Sequence, residues 1–256
     1  MDKPFLIIQL RPEDETADNE FAKIKQYGGL GFNNTERLRA ERKGLPAIDL
    51  DRYAGIIVGG SPFDISTPHD EKSAEQLDIE AGFHRLFDQV IPRDFPFLGC
   101  CSGNGLLGSY CGVPISRRYA EPVSGVDVTI TEAGMADPLL QGMPQTIRVM
   151  LGHKEACDSV PTDATLLVTG EACPVQMFRL GQNVYATQFH PEADAEGFIV
   201  RIHAYKNHGY FAADTADELI ARISKEDAPY PREMLRRFVE RYSGNGISSL
   251  SSSRAR

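Results

Sequence analysis

The chain has 256 residues, 41% of them hydrophobic and 25% charged, a balance that supports one large globular domain, or one domain with an appendage. With 27 basic against 36 acidic residues the formal charge is −9, so phosphate-rich partners are repelled and nucleic acid is excluded as a ligand class.

The first apolar run, Phe5–Leu10, is too short to span a bilayer and no cleavage-site pattern follows it. It reads as a buried strand in a cytoplasmic protein with no membrane contact. A helical stretch over Asn19–Gln26 comes next, then an apolar run at Gly55–Val58, a helix over Ser73–Val90 and another apolar run at Phe95–Cys100. Strands that alternate with helices predict an α/β fold with a mostly parallel central sheet flanked by helices. Continuous apolar runs such as Ile56-Ile57-Val58 suit strands buried on both faces.

From Gly125 the strand candidates crowd together: Val126–Ile130, Ile147–Leu151, Thr165–Thr169, Val175–Leu180 and Val184–Phe189. Some are expected to pair antiparallel, and Gly181-Gln182-Asn183 reads as a hairpin connection between the last two. Helices follow over Ala195–Asn207 and Ala216–Ile223, the latter with Thr215 and Glu218 at capping-box spacing. A last helix begins near Pro231 and presents Leu235, Phe238, Val239 and Tyr242 on one face, a stripe that predicts core packing. The elements divide into an α/β catalytic unit over residues 1–207, a helical extension over 208–243 packed on it, and a Ser/Gly-rich tail over 244–256 expected to be disordered.

Five cysteines, at 100, 101, 111, 157 and 173, include no spaced CxxC pair, so reduced thiols are expected and neither a metal nor a cofactor is called for. The most informative segment is Phe97-Leu98-Gly99-Cys100-Cys101-Ser102-Gly103, where an apolar strand runs into glycines and then a helical pattern. That is the layout of a nucleophile elbow, whose sharp turn needs small residues two before and two after the nucleophile. Gly99 and Gly103 bracket Cys101 in this way, whereas Cys100 would need a small residue in place of Leu98. A helix starting behind Cys101 would favour its thiolate. A Gly-rich turn whose cysteines merely pack produces the same pattern, so the turn alone does not decide.

A second segment, Tyr185-Ala-Thr-Gln-Phe-His-Pro-Glu192, delivers His190 and Glu192 at a strand end. Residues two apart in an extended segment face the same side, and Pro191 biases His190 towards that conformation. Glu192 can then accept from the His190 ring, and a histidine so oriented can take a thiol proton and return it to a leaving amine. His153, at another strand end, could also line a site.

These residues resemble the class I glutamine amidotransferases, in particular stand-alone proteins related to the glutaminase domain of GMP synthase. The match rests on three segments in order: GIIVGGSP at 55–62, PFLGCCSG at 96–103 and ATQFHPE at 186–192. It implies a flavodoxin-like fold over roughly residues 1–207, a nucleophilic Cys101, a general base His190 and an orienting Glu192. It further implies a γ-glutamyl thioester released by water, with ammonia as the other product; a separate ammonia-accepting synthetase is a partner under one of the readings that follow. The oxyanion hole implied by the resemblance uses N–H groups near Gly60 and Ser61 with that of Ser102, beside Gly103. Read by chemistry alone, Gly59-Gly60-Ser61 could suggest a phosphate loop, but no Lys-Ser/Thr follows.

The chain departs from the family at Asn104 and Gly105, where relatives carry His-Gln, and at Gly152-His153-Lys154-Glu155, where they carry His-Gly-Asp. Loss of the glutamine at Gly105 is expected to weaken the hold on free glutamine and leave room for a bulkier γ-glutamyl compound. Three readings therefore stand: a glutaminase serving a synthetase, a free-standing γ-glutamyl hydrolase or peptidase, and a non-catalytic binding protein that kept the fold.

Overall fold

A computed structural model describes residues 3–206 and 213–244; the expected tail, apart from Gly244, and the boundary at 207–208 lie outside the described residues. In chain order the elements are β1 (Phe5–Gln9), α1 (Asp14–Gly28), β2 (Thr35–Arg39), α2 (Ala40–Lys43), β3 (Gly55–Val58), α3 (Ala74–Val90), β4 (Phe97–Cys100) and α4 (Ser102–Tyr110). They continue with β5 (Ile115–Ser116), β6 (Glu121–Ile130), α5 (Glu132–Met135), β7 (Thr146–His153), β8 (Ala156–Cys157), β9 (Ala164–Thr169), β10 (Met177–Leu180) and β11 (Val184–Thr187). Helices α6 (Ala195–Tyr205), α7 (Ala216–Ile223) and α8 (Pro229–Tyr242) complete the chain.

One nine-stranded sheet runs β2-β1-β3-β4-β11-β10-β9-β6-β7. The pairs from β2 to β11 are parallel and the rest antiparallel, so the sheet has a parallel core extended on one side by antiparallel strands. β1, β3, β4 and β11 are buried along their whole length, as their apolar runs require. Alternate residues serve opposite faces. Phe5, Ile7, Ile57, Leu98 and Tyr185 pack with Ile24 of α1 and Leu235 and Phe238 of α8, while Leu6, Ile8, Ile56, Val58 and Phe97 pack with Phe83 and Phe87 of α3 and Leu107 of α4.

Several boundaries differ from the sequence reading. α1 starts at Asp14, and β2, which has no apolar run, was not anticipated. As the edge strand beside β1 it needs no second buried face, so its sequence Thr-Glu-Arg-Leu-Arg carries polar side chains. β6 begins at Glu121, five residues before the expected Val126, and reaches His153 of β7 through an irregular register. The β10–β11 hairpin turns at Gly181 with φ 54°, and Asp94 Oδ1 accepts from Gln182 N and Asn183 N at 3.0 Å each. Thr215 stands at the N-cap of α7 but makes no side-chain capping bond, which corrects the capping-box expectation. α8 has no core of its own: Phe238 lies 6.2 Å from the rings of both Phe5 and Tyr185. Among the described residues no helix is long and apolar enough to cross a membrane.

The parallel strands all point the same way, so their carboxyl ends open onto one edge, where parallel α/β sheets hold their ligands. Arg11 follows β1, Gly59-Gly60-Ser61 follows β3, Cys101 follows β4 and Gln188-Phe189-His190 follows β11.

Candidate active site

Cys101 joins β4 to α4 with φ 55° and ψ −94°, and Asp94 is the other described non-glycine residue at positive φ. Such a conformation is costly for a residue with a Cβ and persists only where its surroundings enforce it. Here Cys101 N donates to Thr187 O at 2.7 Å and Asn104 N donates to Cys101 O at 2.9 Å, tying the turn to β11 on one side and to α4 on the other. A Cβ added at Gly99 would lie 2.8 Å from the backbone C and O of Gly103, so the strand and helix approach closely at these two glycines. Cys100 is fully buried in β4.

His190 Nδ1 lies 2.7 Å from Glu192 Oε1, and both side chains are buried. The residue is fixed further by its backbone N–H, which donates to Met150 O at 3.0 Å, and by an edge-on contact of its ring with Phe198, centroids 5.6 Å apart. Glu192 also accepts from Arg201 Nη2 of α6 at 2.8 Å. Behind these groups stands Glu20 of α1, whose Oε2 accepts from Arg11 Nε at 2.7 Å and lies 3.7 Å from Arg201 Nη2. Arg11 Nη1 reaches Tyr205 Oη at 3.2 Å. Sequence reasoning missed Arg11, Glu20, Arg201 and Tyr205. A charged residue just past the first apolar run was the available signal for Arg11; nothing local marked the other three.

Two clefts flank Cys101 and share Ser61 and Gly152. One, of about 420 Å³, is lined by His190, Arg11, Phe198, Arg201, Ile202 and Tyr205 among others. The second, of about 360 Å³, is lined by Phe63, Asp64, Ser102, Gly105, His153, Lys154, Glu155 and Gln188 among others. His153 thus borders the site, held by Glu121 Oε2 at Nε2 and Glu155 O at Nδ1, each at 3.0 Å. Gln188, inside the ATQFHPE segment, points Nε2 at Cys101 Sγ from 4.0 Å. Ser61 Oγ accepts from Phe63 N at 2.8 Å, and Ser102 Oγ donates to Ser61 O at 3.5 Å.

The Gly60 amide, read as an oxyanion donor, donates to Glu20 Oε2 at 3.1 Å, a charge-assisted bond that commits it to the buried network. Gly105 borders the second cleft, and an added Cβ there would meet Ile65 Cδ1, the end of a side chain, at 2.8 Å. The neighbouring Asn104 turns inward, its Oδ1 accepting from Cys157 Sγ at 3.0 Å.

Burial governs the charges. It pushes the Cys101 thiol from its ordinary 9.0 up to about 12, with Arg11 opposing. That rise corresponds to about 4 kcal/mol, more than the ~2 kcal/mol at most expected from the dipole of α4. Burial thus opposes the thiolate that the helix start favours. Burial also lowers His190, against the attraction of Glu192, so its resting imidazole is neutral. Burial opposes ionisation of Glu192 too, yet the charges and hydrogen bonds of His190 and Arg201 hold its carboxyl well below the usual carboxylate range. With His190 neutral, Arg201 is the cation that keeps Glu192 ionised.

Comparison with known proteins places the chain in a family. Residues 32–202 match the family model "Glutamine amidotransferase class-I". The GMP synthase [glutamine-hydrolyzing] of Aeropyrum pernix is 24% identical over 84% of this chain but only 38% of its own length. A GMP synthase [glutamine-hydrolyzing] subunit from Pyrococcus abyssi is 28% identical over 54% of this chain and 66% of its own. Gamma-glutamyl peptidase 3 of Arabidopsis thaliana is 25% identical over 89% of this chain and 93% of its own. The crystal structure of a glutamine amidotransferase from Thermotoga maritima covers 93% of this chain and 97% of its own with a TM-score of 0.73 at 20% identity, which shows the common fold. The family match spans most of the parallel sheet and everything from the glycine loop after β3 to Arg201, and the chain belongs to the class-I glutamine amidotransferases.

Proposed function

We propose that the protein hydrolyses γ-glutamyl amide bonds, with Cys101 as nucleophile, His190 as general base and acid, and Glu192 orienting His190. The observation that carries this reading is the elbow: Cys101 is held at φ 55° in a cleft it shares with a His190 whose Nδ1 lies 2.7 Å from a carboxylate. Glu192 engages Nδ1, which leaves Nε2 to take the thiol proton as Sγ attacks the amide carbon. The tetrahedral oxyanion would be met by the N–H groups of Ser61 and Ser102, without Gly60. As the C–N bond breaks, the proton passes from His190 to the departing nitrogen. Water then gives a proton to His190 and its oxygen to the thioester carbon, the C–S bond breaks, and the sulfur regains the proton.

His190 lines the larger cleft and not the other, and a general acid must reach the departing nitrogen. The leaving amine is therefore assigned to the 420 Å³ cleft and the γ-glutamyl group to the 360 Å³ cleft with Gln188, His153 and Lys154. A leaving-group cleft walled by Val123, Phe198 and Ile202 suits more than ammonia. This favours a free-standing γ-glutamyl hydrolase, and the near full-length match to gamma-glutamyl peptidase 3 supports it. With glutamine as substrate the same steps would release ammonia for a separate synthetase, a second reading supported by the likeness to the GMP synthase subunit of Pyrococcus abyssi. The test is glutamate release from glutamine, γ-glutamyl peptides and γ-glutamyl alkylamines by the wild type and by Cys101→Ala. Turnover of at least one amide, abolished in Cys101→Ala, is expected; turnover retained without Cys101 would sink the proposal.

A further inference from the structure

Arg201 carries more hydrogen-bond donors than the protein around it uses. Its side chain is 7% exposed, and its Nη2 serves Glu192 at 2.8 Å. Its Nε and Nη1 atoms are buried without a hydrogen-bond partner. Buried donors left unpaired are costly, the more so on a charged group, so the arrangement is explained if a ligand or ordered water completes it. Arg201 lines the cleft that holds His190, whereas Glu192, which also has an unpartnered oxygen, does not. A guanidinium thus borders the cleft, beside the side chains of Val123, Phe198 and Ile202. The Arg11 guanidinium lines the same cleft, tied to Glu20 and Tyr205.

Resting on the γ-glutamyl reading above, we infer that Arg201 is the specificity residue for the leaving side and binds a carboxylate carried by the departing amine. The preferred substrate is then a γ-glutamyl derivative of an amino acid or short peptide with a free terminal carboxylate, ahead of glutamine. Hydrolysis follows the steps already given: water supplies the oxygen to the glutamyl carbon, and the departing amine takes its proton from His190 and leaves with its carboxylate intact.

A matched pair differing only in terminal charge tests this: γ-glutamylglycine against γ-glutamylglycinamide, with glutamine as reference and glutamate release as readout. The wild type is expected to prefer the carboxylate by about tenfold or more in kcat/KM, the scale of a hydrogen bond to a charged group. Arg201→Gln should bring the ratio close to one, and Arg201→Lys, which keeps a charge, should retain part of the preference. Because Arg201 also holds Glu192, both variants will slow turnover, but a purely positioning role would slow the two substrates by the same factor and leave the ratio unchanged. An unchanged ratio overturns the inference. So does a wild-type ratio near one, which needs no variant to fold. A Cys101-dependent glutaminase indifferent to the terminal charge sinks this inference alone, whereas failure to release glutamate from any of the three sinks the proposed function itself.

Discussion

At Cys101 the backbone conformation and the buried thiol act together, since the turn exposes a side chain whose proton leaves only when a base accepts it. Burial raises Cys111 as well, to about 11, but that residue is half-buried and lies away from the clefts. Iodoacetamide is therefore expected to label both cysteines while activity loss follows Cys101 alone; peptide mass spectrometry and inactivation of Cys111→Ser at the wild-type rate check this. Glu192→Gln should cut kcat by a large factor, on the order of 10⁴ in the comparable protease case. It should also cost stability, about 3–5 kcal/mol for a broken buried pair, because Arg201 loses its counter-charge. Full turnover in that variant would mean another group orients His190. At Gly105 a glutamine meets the terminal methyl of Ile65, which must shift before the new side chain can settle. Gly105→Gln alone should then give no better kcat/KM for glutamine, and pairing it with Ile65→Ala should improve on the single variant.

Among the elements, the β4–α4 junction leaves no room for a side chain at Gly99. Gly99→Ala sets a Cβ against the backbone of Gly103, which cannot move aside as a flexible side chain would. Thermal melts and turnover together should show a loss of about 1–3 kcal/mol and an activity deficit larger than the unfolded fraction explains; near-normal activity would mean the close approach is dispensable. At the other end of the chain, Phe238 of α8 is fully buried against Phe5 and Tyr185. Phe238→Ala should cost about 3–5 kcal/mol, measured by urea unfolding. A single transition in both proteins is the expected sign that α8 and the sheet unfold as one unit.

Over the whole molecule, one buried network ties the end of β1, α1, α6 and the loop after β11 through Arg11, Glu20, Arg201, Glu192 and His190. Its protonation sets the pH dependence. Glu192 is depressed by its partners, so its contribution is present above the unfolded carboxylate range and is lost only as pH falls through its lower folded value. His190 is also depressed, so below 6.5 the unfolded chain binds the proton first and stability falls with pH. Cys101 is raised, so between 9.0 and about 12 the unfolded chain loses the proton first and stability falls as pH rises. Melting curves should therefore be flattest from about pH 6.5 to 9, and the acid limb of kcat/KM should lie below 6.5, where His190 gains its proton. An acid limb above 6.5 would show that burial does not control this imidazole.

The sequence by itself determined the parallel core and the elbow, because both are written in local pattern. Fully apolar runs are what strands buried on two faces require, and the glycines two before and two after Cys101 are what a tight strand-to-helix turn requires. The pairing of His190 with Glu192 was legible from their closeness in sequence, but the structure brings them together through a turn in which Ala193 N donates to His190 O at 3.2 Å, and not through the extended segment expected. Only the tertiary structure decided that Glu20 would claim the Gly60 amide, that Ile65 would pack beside Gly105, and that Arg201 would hold Glu192. Each of those contacts depends on which face of α1, α4 or α6 meets which loop. Polar and charged side chains that pair far apart in the chain leave no periodicity behind them, and the same holds for β2, whose edge position removes the apolar pattern that marks the central strands.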